Sequence, residues 1–229
     1  MILKKERFEE AYQKLAEKAC KNGDENPSFN SGYWAEQEHY KYDFWEDARE
    51  KMKLDTWPEC RNDLKIFLNL ASQPFGIMMS DADRLQNLVS SPNYDKVLLH
   101  IFSGSEKIRK EAADVLYGLY YGDNDEDSFK QLAKLMKGLP DPISVVSTYF
   151  FLKDKVDGDF CYVTARKEGT SERLGKLGLH TSCLQKCTWE GYQEFLDLIK
   201  QIQEYLRPHH PDATLLDAQS FLWMMHMIK

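Results

Sequence analysis

The sequence lacks a long apolar run. No stretch approaches the roughly 18 consecutive apolar residues that a membrane-spanning helix needs. The first residues, MILKKERFEEAYQKL, are charged throughout and lack the apolar core of a signal peptide. Cysteine is also scarce, and its odd count of five fits reduced thiols better than a framework of paired disulfides. We therefore expect a cytoplasmic protein that has no contact with a membrane.

The motifs of several common catalytic sites are missing as well. The chain contains no G-x-x-x-x-G-K-[ST], G-x-G-x-x-G, G-x-S-x-G or H-E-x-x-H pattern. ATP or GTP would therefore not bind through a P-loop. We expect no cofactor and no enzymatic activity of the chain itself.

Positive charge is in deficit. The 229 residues include 30 Lys and Arg against 37 Asp and Glu, which gives a formal net charge of −7. This balance argues against a protein that coats nucleic acid with its whole surface, but it allows a local basic groove. An acidic surface also suits a basic protein partner. At this length and a hydrophobic fraction of 42%, the chain can bury a core without disulfides.

Strand signals are few and helical signals are many. No Asn-Gly turn separates alternating strands, and no repeat of fixed period occurs. The segment Gln73-Pro74-Phe75-Gly76 is typical of a break between helices. Apolar residues recur at steps of three and four, which predicts helices over residues 3–21, 33–53, 59–71, 81–90, 93–103, 105–121, 128–137, 170–177, 188–206 and from 212 onward. The predicted fold class is mainly α, an irregular multi-helix bundle.

Two apolar stretches are ambiguous. Residues 143–152 are almost continuously apolar or β-branched, so periodicity alone cannot separate a buried helix from a buried strand. Their helical neighbours favour a helix. Residues 160–164, FCYVT, fit either a short strand pair or an extended connection.

The chain is predicted to form one helical domain, 1–229. The acidic segment 122–127 allows a subdivision into an N-terminal helical part, 1–121, and a C-terminal helical part, 128–229. An acidic stretch of this length is more often a loop inside a domain than a linker between domains.

A basic segment, TARKEGTSERLGKLG, is the candidate site for phosphate or nucleic acid. Its four cations lie near three glycines, and cations of this kind bind phosphate oxygens. Glu168 and Glu172 dilute the charge, so a solvated loop is the competing interpretation. The four candidate residues are Arg166, Lys167, Arg173 and Lys176.

Three weaker patterns have structural interpretations that compete with a site. His180, Cys183 and Cys187 have zinc-ligand chemistry, but their H-x2-C-x3-C spacing is not that of a zinc ribbon, and reduced thiols are the favoured interpretation. The aromatic segment SGYWAEQEHYKYDFWEDARE could stack on single-stranded nucleic acid, yet its acidic residues favour a helix that packs its rings inward. Carboxylate pairs such as Asp81 with Asp83 could bind Mg²⁺ in a nuclease, but a solvated surface is the favoured interpretation.

From Asn93 onward, several helical features follow one another along the chain, and the last of them is the motif D-x-Q-S-F-x-W. The chain resembles, over about 130 residues, the helical region found N-terminal to or beside the AAA+ GTPase of modified-cytosine restriction systems of the McrBC type. Such regions occur in bacterial restriction and anti-phage defence proteins. The most specific matching residues are those of the closing motif, Asp217, Gln219, Ser220, Phe221 and Trp223. A W-x-x-Y helix with Trp189 and Tyr192 precedes them.

The resemblance implies an accessory or recognition module whose chemistry resides in another protein, because neither the GTPase nor a nuclease motif is matched. Its partner would be a defence ATPase or nuclease, or the target of one, and it could also bind nucleic acid. Two other functions stay open: an inhibitor of a host defence enzyme, encoded by a mobile element, and a metal-dependent nuclease of an unrecognised type. From the residues alone, we expect Phe221 and Trp223 to be core anchors, and Asp217 and Gln219 to bind neighbouring backbone.

Overall fold

The computed structural model describes residues 2–85, 88–89, 91–164, 167–179 and 183–228, and within these ranges the regular structure is helical. The first helices are α1 (Lys5–Lys21), α2 (Gly32–Glu38), α3 (Tyr40–Met52), α4 (Trp57–Cys60), α5 (Leu64–Ala71), α6 (Gln73–Ser80) and α7 (Ala82–Leu85). They are followed by α8 (Ser91–Lys96), a π-helix (Val97–Phe102), α9 (Glu106–Tyr121), α10 (Asp125–Leu135), α11 (Pro142–Lys153), α12 (Lys167–Lys176), α13 (Trp189–Leu206) and α14 (Leu215–Met224). Short 3₁₀ turns span Leu54–Thr56, Cys183–Gln185 and Met225–Met227.

The long amphipathic helices lie where the periodicity predicts them. In α1, the buried residues are Phe8, Ala11, Leu15 and Ala19, which recur at steps of three and four. The caps also follow the sequence: the hydroxyl of Ser105 accepts a hydrogen bond from the amide of Ile108 at the start of α9. The prediction of a mainly α, multi-helix fold is confirmed.

Several boundaries differ from the predicted ones. The helix expected over 59–71 is divided into α4 and α5, and α10 begins at Asp125 and not at 128. The single helix expected over 33–53 is divided by a turn at His39 into α2 and α3. The expected break at Gln73-Pro74-Phe75-Gly76 is instead the beginning of α6. Pro74 occupies the first turn of α6, where a missing N–H costs no intrahelical hydrogen bond, so this proline is compatible with a helix start.

The ambiguous stretch 143–152 is helical and lies in α11, where every residue from Ile143 to Leu152 is buried. The strand pair considered near 160–164 is wrong, because the described residues there have no regular secondary structure and form no sheet. Helix side chains take the place of a neighbouring strand. The amide of Val163 donates to Ser147 Oγ over 2.8 Å, and the hydroxyl of Tyr192 donates to the carbonyl of Cys161 over 2.8 Å.

The buried apolar side chains form one cluster that extends from Leu3 to Met225. The two ends of the described chain meet in it: the amide of Leu3 donates to Gln201 Oε1 over 2.9 Å, and the rings of Phe8 and Phe221 lie 5.0 Å apart. The division at 122–127 therefore stays a prediction that needs its own experiment. A search of the described helices for one long and apolar enough to cross a bilayer found none.

Candidate recognition surface

The motif D-x-Q-S-F-x-W lies in α14 and begins with a capping box. Thr214 accepts a hydrogen bond from the amide of Asp217 over 3.1 Å, and the Asp217 carboxylate accepts one from the amide of Thr214 over 2.8 Å. The hydroxyl of Tyr42, from α3, donates to the same carboxylate over 2.8 Å. Asp217 thus bonds neighbouring backbone, as expected, and it also holds α3 against the start of α14.

Gln219 and Ser220 surround a buried ammonium. Lys41 Nζ donates to Gln219 Oε1 over 2.9 Å, to Ser220 Oγ over 3.0 Å and to the carboxylate of Glu38. Tyr162 donates to the same Gln219 oxygen over 3.0 Å. Gln219 therefore bonds side chains from two other segments, where the sequence led us to expect backbone.

Lys41 is 0% exposed and Glu38 is 4% exposed. Burial raises the pKa of Glu38 and lowers the pKa of Lys41, while each charge opposes the shift of the other. Because neither side chain reaches the surface, this cluster cannot contact a macromolecular partner. The aromatic segment that contains Lys41 also packs inward: Trp34 and Phe44 are buried, which favours the structural interpretation over a stacking platform.

The W-x-x-Y pair begins α13 and lies in an aromatic cluster. Trp189 and Tyr192 both pack on Phe129, with ring centroids 5.6 and 5.4 Å apart. Tyr192 is fully buried, and burial raises the pKa of its phenol well above the usual value. Trp189 is only half-buried, so part of its ring remains at the surface.

The basic segment is largely helix α12. Arg166 lies outside the described residues, and the Lys167 side chain is likewise not described. The Arg173 guanidinium lies over the ring of Trp223, 4.4 Å from its centroid, in a cation–π contact that joins α12 to α14. Trp223 itself is buried, as expected of a core anchor. Lys176 is exposed and pairs with Glu172 over 3.2 Å.

Lys176 lies beside a row of cations on α1. A groove of about 310 Å³ is bordered by Arg7, Lys14 and Lys176. It continues into a cavity of about 460 Å³ bordered by Lys14, Lys18 and Lys21. The two share Lys14 and Ile228, and together we call them the α1 groove. The apolar residues that line it are Ala11, Met225, Met227 and Ile228.

Two hydrogen bonds fix the walls of the α1 groove. Arg7 donates to the carbonyl of Gly175 at the end of α12 over 3.4 Å. Lys18 donates to the carbonyl of Met227 over 3.0 Å. The groove thus joins three segments that are distant in sequence. Five cations and two carboxylates, Glu10 and Glu17, line it on a chain of net charge −7. Lys14 pairs with Glu10 over 2.7 Å, and Lys176 pairs with Glu172 outside the lining.

The sequence contained a signal for part of this surface. Positions 7, 14, 18 and 21 are separated by seven, four and three residues, which places them along one face of a helix. The addition of Lys176 depends on how α12 packs, which no local pattern shows.

The zinc and magnesium candidates gain no geometry from the structure. His180 lies outside the described residues, the side chain of Cys183 is not described, and Cys187 is half-buried. Asp81 pairs with Arg84 over 2.7 Å. Within the described ranges, no group of three or more His, Cys, Asp or Glu side chains lies close enough to hold a metal ion.

Comparisons with known proteins add no relative. No family model matches this chain, and neither the curated proteins nor the solved structures include a significant match.

Proposed function

We propose that this chain is a recognition module of a prokaryotic anti-phage defence or restriction system, and that it binds nucleic acid through the α1 groove. The observation that supports binding is the concentration of five cations on one groove of an acidic protein. The defence context rests on the resemblance that ends in D-x-Q-S-F-x-W. Any chemistry would belong to a protein partner, such as an ATPase or nuclease.

The geometry fits the sugar–phosphate backbone better than base edges. Four of the five cations are lysines, whose ammonium groups act as mobile point charges. They lack the planar guanidinium with which arginine forms two hydrogen bonds to a guanine base. Binding would thus depend strongly on salt and weakly on sequence. The apolar floor of Ala11 and Ile228 offers contact area without adding sequence specificity.

The test compares two triple variants of equal charge. The first is Lys14→Gln with Lys21→Gln and Lys176→Gln, which removes groove cations but leaves the Arg7 and Lys18 hydrogen bonds to the walls. The control is Lys51→Gln with Lys65→Gln and Lys155→Gln, three exposed residues that do not border the groove. Affinity for labelled single- and double-stranded oligonucleotides would be measured by fluorescence anisotropy at several salt concentrations.

We expect the groove variant to bind at least about tenfold more weakly, and the slope of log affinity against log salt to fall by about 2 to 3. The control should lose much less, since only the long-range effect of net charge remains. Equal losses in both variants would show that net charge alone controls binding. Absence of binding by the unmodified protein at low salt would refute the nucleic-acid proposal.

A further inference from the structure

A second groove lies at the C-terminal end of α10. Two cavities, of about 520 and 490 Å³, lie on either side of Lys134, Lys137 and Gly138, which line both of them. The π-helix and α9 border the first cavity, and Pro142 and the start of α13 border the second. We call the pair the α10 groove. Each cavity has the volume of a typical ligand pocket.

Apolar side chains form much of both cavities. In the first cavity they are Ile101, Ile108, Leu135 and Leu139, and in the second Phe129, Ala133, Pro142 and Trp189. Ile108 remains 37% exposed, and Leu99, on the same π-helix as Ile101, is 65% exposed. A π-helix widens a turn and frequently occurs at functional sites. The groove could therefore remove a considerable apolar surface from water when it is filled.

The rim of the α10 groove is cationic. Lys96, Lys134 and Lys137 are exposed, and none of them forms an ion pair with a carboxylate in the described part of the chain. His100 also lines the first cavity. The carboxylates on the rim are Glu111 and Glu190.

We propose that the α10 groove binds an acidic segment of a partner protein, whose large apolar side chains enter the two cavities. Carboxylates of the segment would lie against Lys134 and Lys137 on the ridge between the cavities. This arrangement combines buried apolar anchors with complementary charge at the rim, as in peptide-binding grooves. It identifies a protein surface separate from the α1 groove.

The lining favours a peptide over nucleic acid. Unpaired bases are bound by exposed aromatic rings on which they stack. The first cavity has aliphatic side chains on its floor, and in the second the half-buried Trp189 already packs on Phe129 and Tyr192. Aliphatic cavities on both sides of a cationic ridge suit Leu, Ile or Phe side chains that are separated by acidic residues.

The experiment selects ligands without assuming the partner's sequence. A phage-displayed library of random peptides of about sixteen residues would be panned against the intact protein, a length that can span a helix-sized groove. Enriched peptides would be synthesised and their affinity measured by fluorescence anisotropy. Three variants would be compared: Lys134→Glu with Lys137→Glu, the control Lys51→Glu with Lys65→Glu, and Ile108→Ser. Circular dichroism would confirm that each variant folds.

We expect enriched peptides to combine net negative charge with at least two large apolar residues. Their affinity should fall at least about tenfold in the Lys134/Lys137 variant and in Ile108→Ser, and change little in the Lys51/Lys65 control. Three results would overturn the proposal: no enriched peptide, enriched peptides without acidic residues, or binding that ignores Lys134 and Lys137. Loss of oligonucleotide binding in the Lys134/Lys137 variant would instead reassign the groove to nucleic acid, and self-association lost in that variant would reassign it to a second copy of the chain.

Discussion

The interior of the molecule contains a charged pair that a helical protein of this size could have replaced by apolar side chains. Lys41 and Glu38 lie one turn apart, across the boundary between α2 and α3, and both are buried. The Lys41 ammonium uses its three protons on three acceptors. A buried pair of this kind contributes little net stability compared with apolar residues, but removal of one partner leaves an uncompensated charge.

The pair should make stability depend on pH only when it is broken. Around neutral pH, the unfolded chain has Lys⁺ and Glu⁻ at these positions, so the two groups together carry one titratable proton. The folded pair also carries one. Unfolding therefore exchanges no proton at this site, and the unmodified pair adds no slope to the free energy of unfolding.

We expect Lys41→Met and Glu38→Gln to have opposite pH dependences. In Lys41→Met, burial still raises the pKa of Glu38, so stability is retained below the unfolded pKa and is lost as pH rises. In Glu38→Gln, burial still lowers the pKa of Lys41, so stability is lost as pH falls from the alkaline range. Each variant should cost about 3–5 kcal/mol at its unfavourable pH, with a slope of at most about 1.4 kcal/mol per pH unit.

Urea unfolding at pH 6 and pH 9 would measure this effect. Lys41→Met should have its higher midpoint at pH 6, and Glu38→Gln should have its higher midpoint at pH 9. The double variant Lys41→Met with Glu38→Gln has no titrating group at the site, so it should lose both trends. If the two single variants changed in the same direction, the buried pair would not control the proton balance.

No sequence argument identified this pair. Within HYKYDFW, a lysine reads as one more solvated charge, and its partner Gln219 is 178 residues away. The polar positions of D-x-Q-S-F-x-W did indicate that buried polar groups in α14 needed partners. The partners themselves became visible only when α3 and α14 packed together.

At the scale of the element, α11 is almost completely buried, and a side chain of another helix binds the carbonyls at its C-terminus. The last carbonyls of a helix have no intrahelical donor and carry partial negative charge. Arg49 of α3 donates to the carbonyls of Leu152, Lys153 and Asp154 over 2.6, 3.1 and 3.1 Å. Its guanidinium also lies 4.9 Å from the ring centroid of Trp45.

We expect Arg49→Met to lower the free energy of unfolding by about 2 kcal/mol, because three carbonyls lose a charged donor. Arg49→Lys should recover only part of this loss, since one ammonium cannot reproduce the geometry of the guanidinium. Lys51→Met, an exposed position on the same helix, is the matched control and should change stability little. Chemical denaturation measures all three. If Arg49→Met behaved like Lys51→Met, the contact would not stabilise the end of α11.

Helix periodicity predicted the elements that have one apolar face and failed where local signals conflict. α1 and α13 could be predicted because their buried residues recur at helical steps. α11 gave no such signal, since it is buried all round. The segment 160–164 has the composition of a strand but bonds to side chains of helices. The groove cations on α1 were predictable as a face, whereas Lys176 joins them only through tertiary packing.

At the scale of the whole molecule, interactions from the first half of the chain complete the second half. Lys41 donates hydrogen bonds to the side chains of Gln219 and Ser220. Arg49 donates to a carbonyl at the C-terminus of α11, and Phe8 packs on Phe221. A C-terminal half on its own would expose these buried polar and aromatic groups to water. Such long-range dependence favours one cooperative unit, in which residues 122–124 connect α9 to α10 and residues 125–127 belong to the first turn of α10.

We therefore expect fragments 1–123 and 124–229 to be unfolded when expressed separately and to fold when they are mixed. Circular dichroism and the dispersion of amide resonances would measure folding, and analytical ultracentrifugation would measure a one-to-one complex. Lys41→Met in the first fragment is a specific control, because it should weaken reassembly by leaving Glu38 buried and unpaired. A separate fragment that gave a dispersed spectrum and a cooperative melting transition would instead establish 1–121 or 128–229 as an autonomous domain, since only a unit with its own complete core can fold alone.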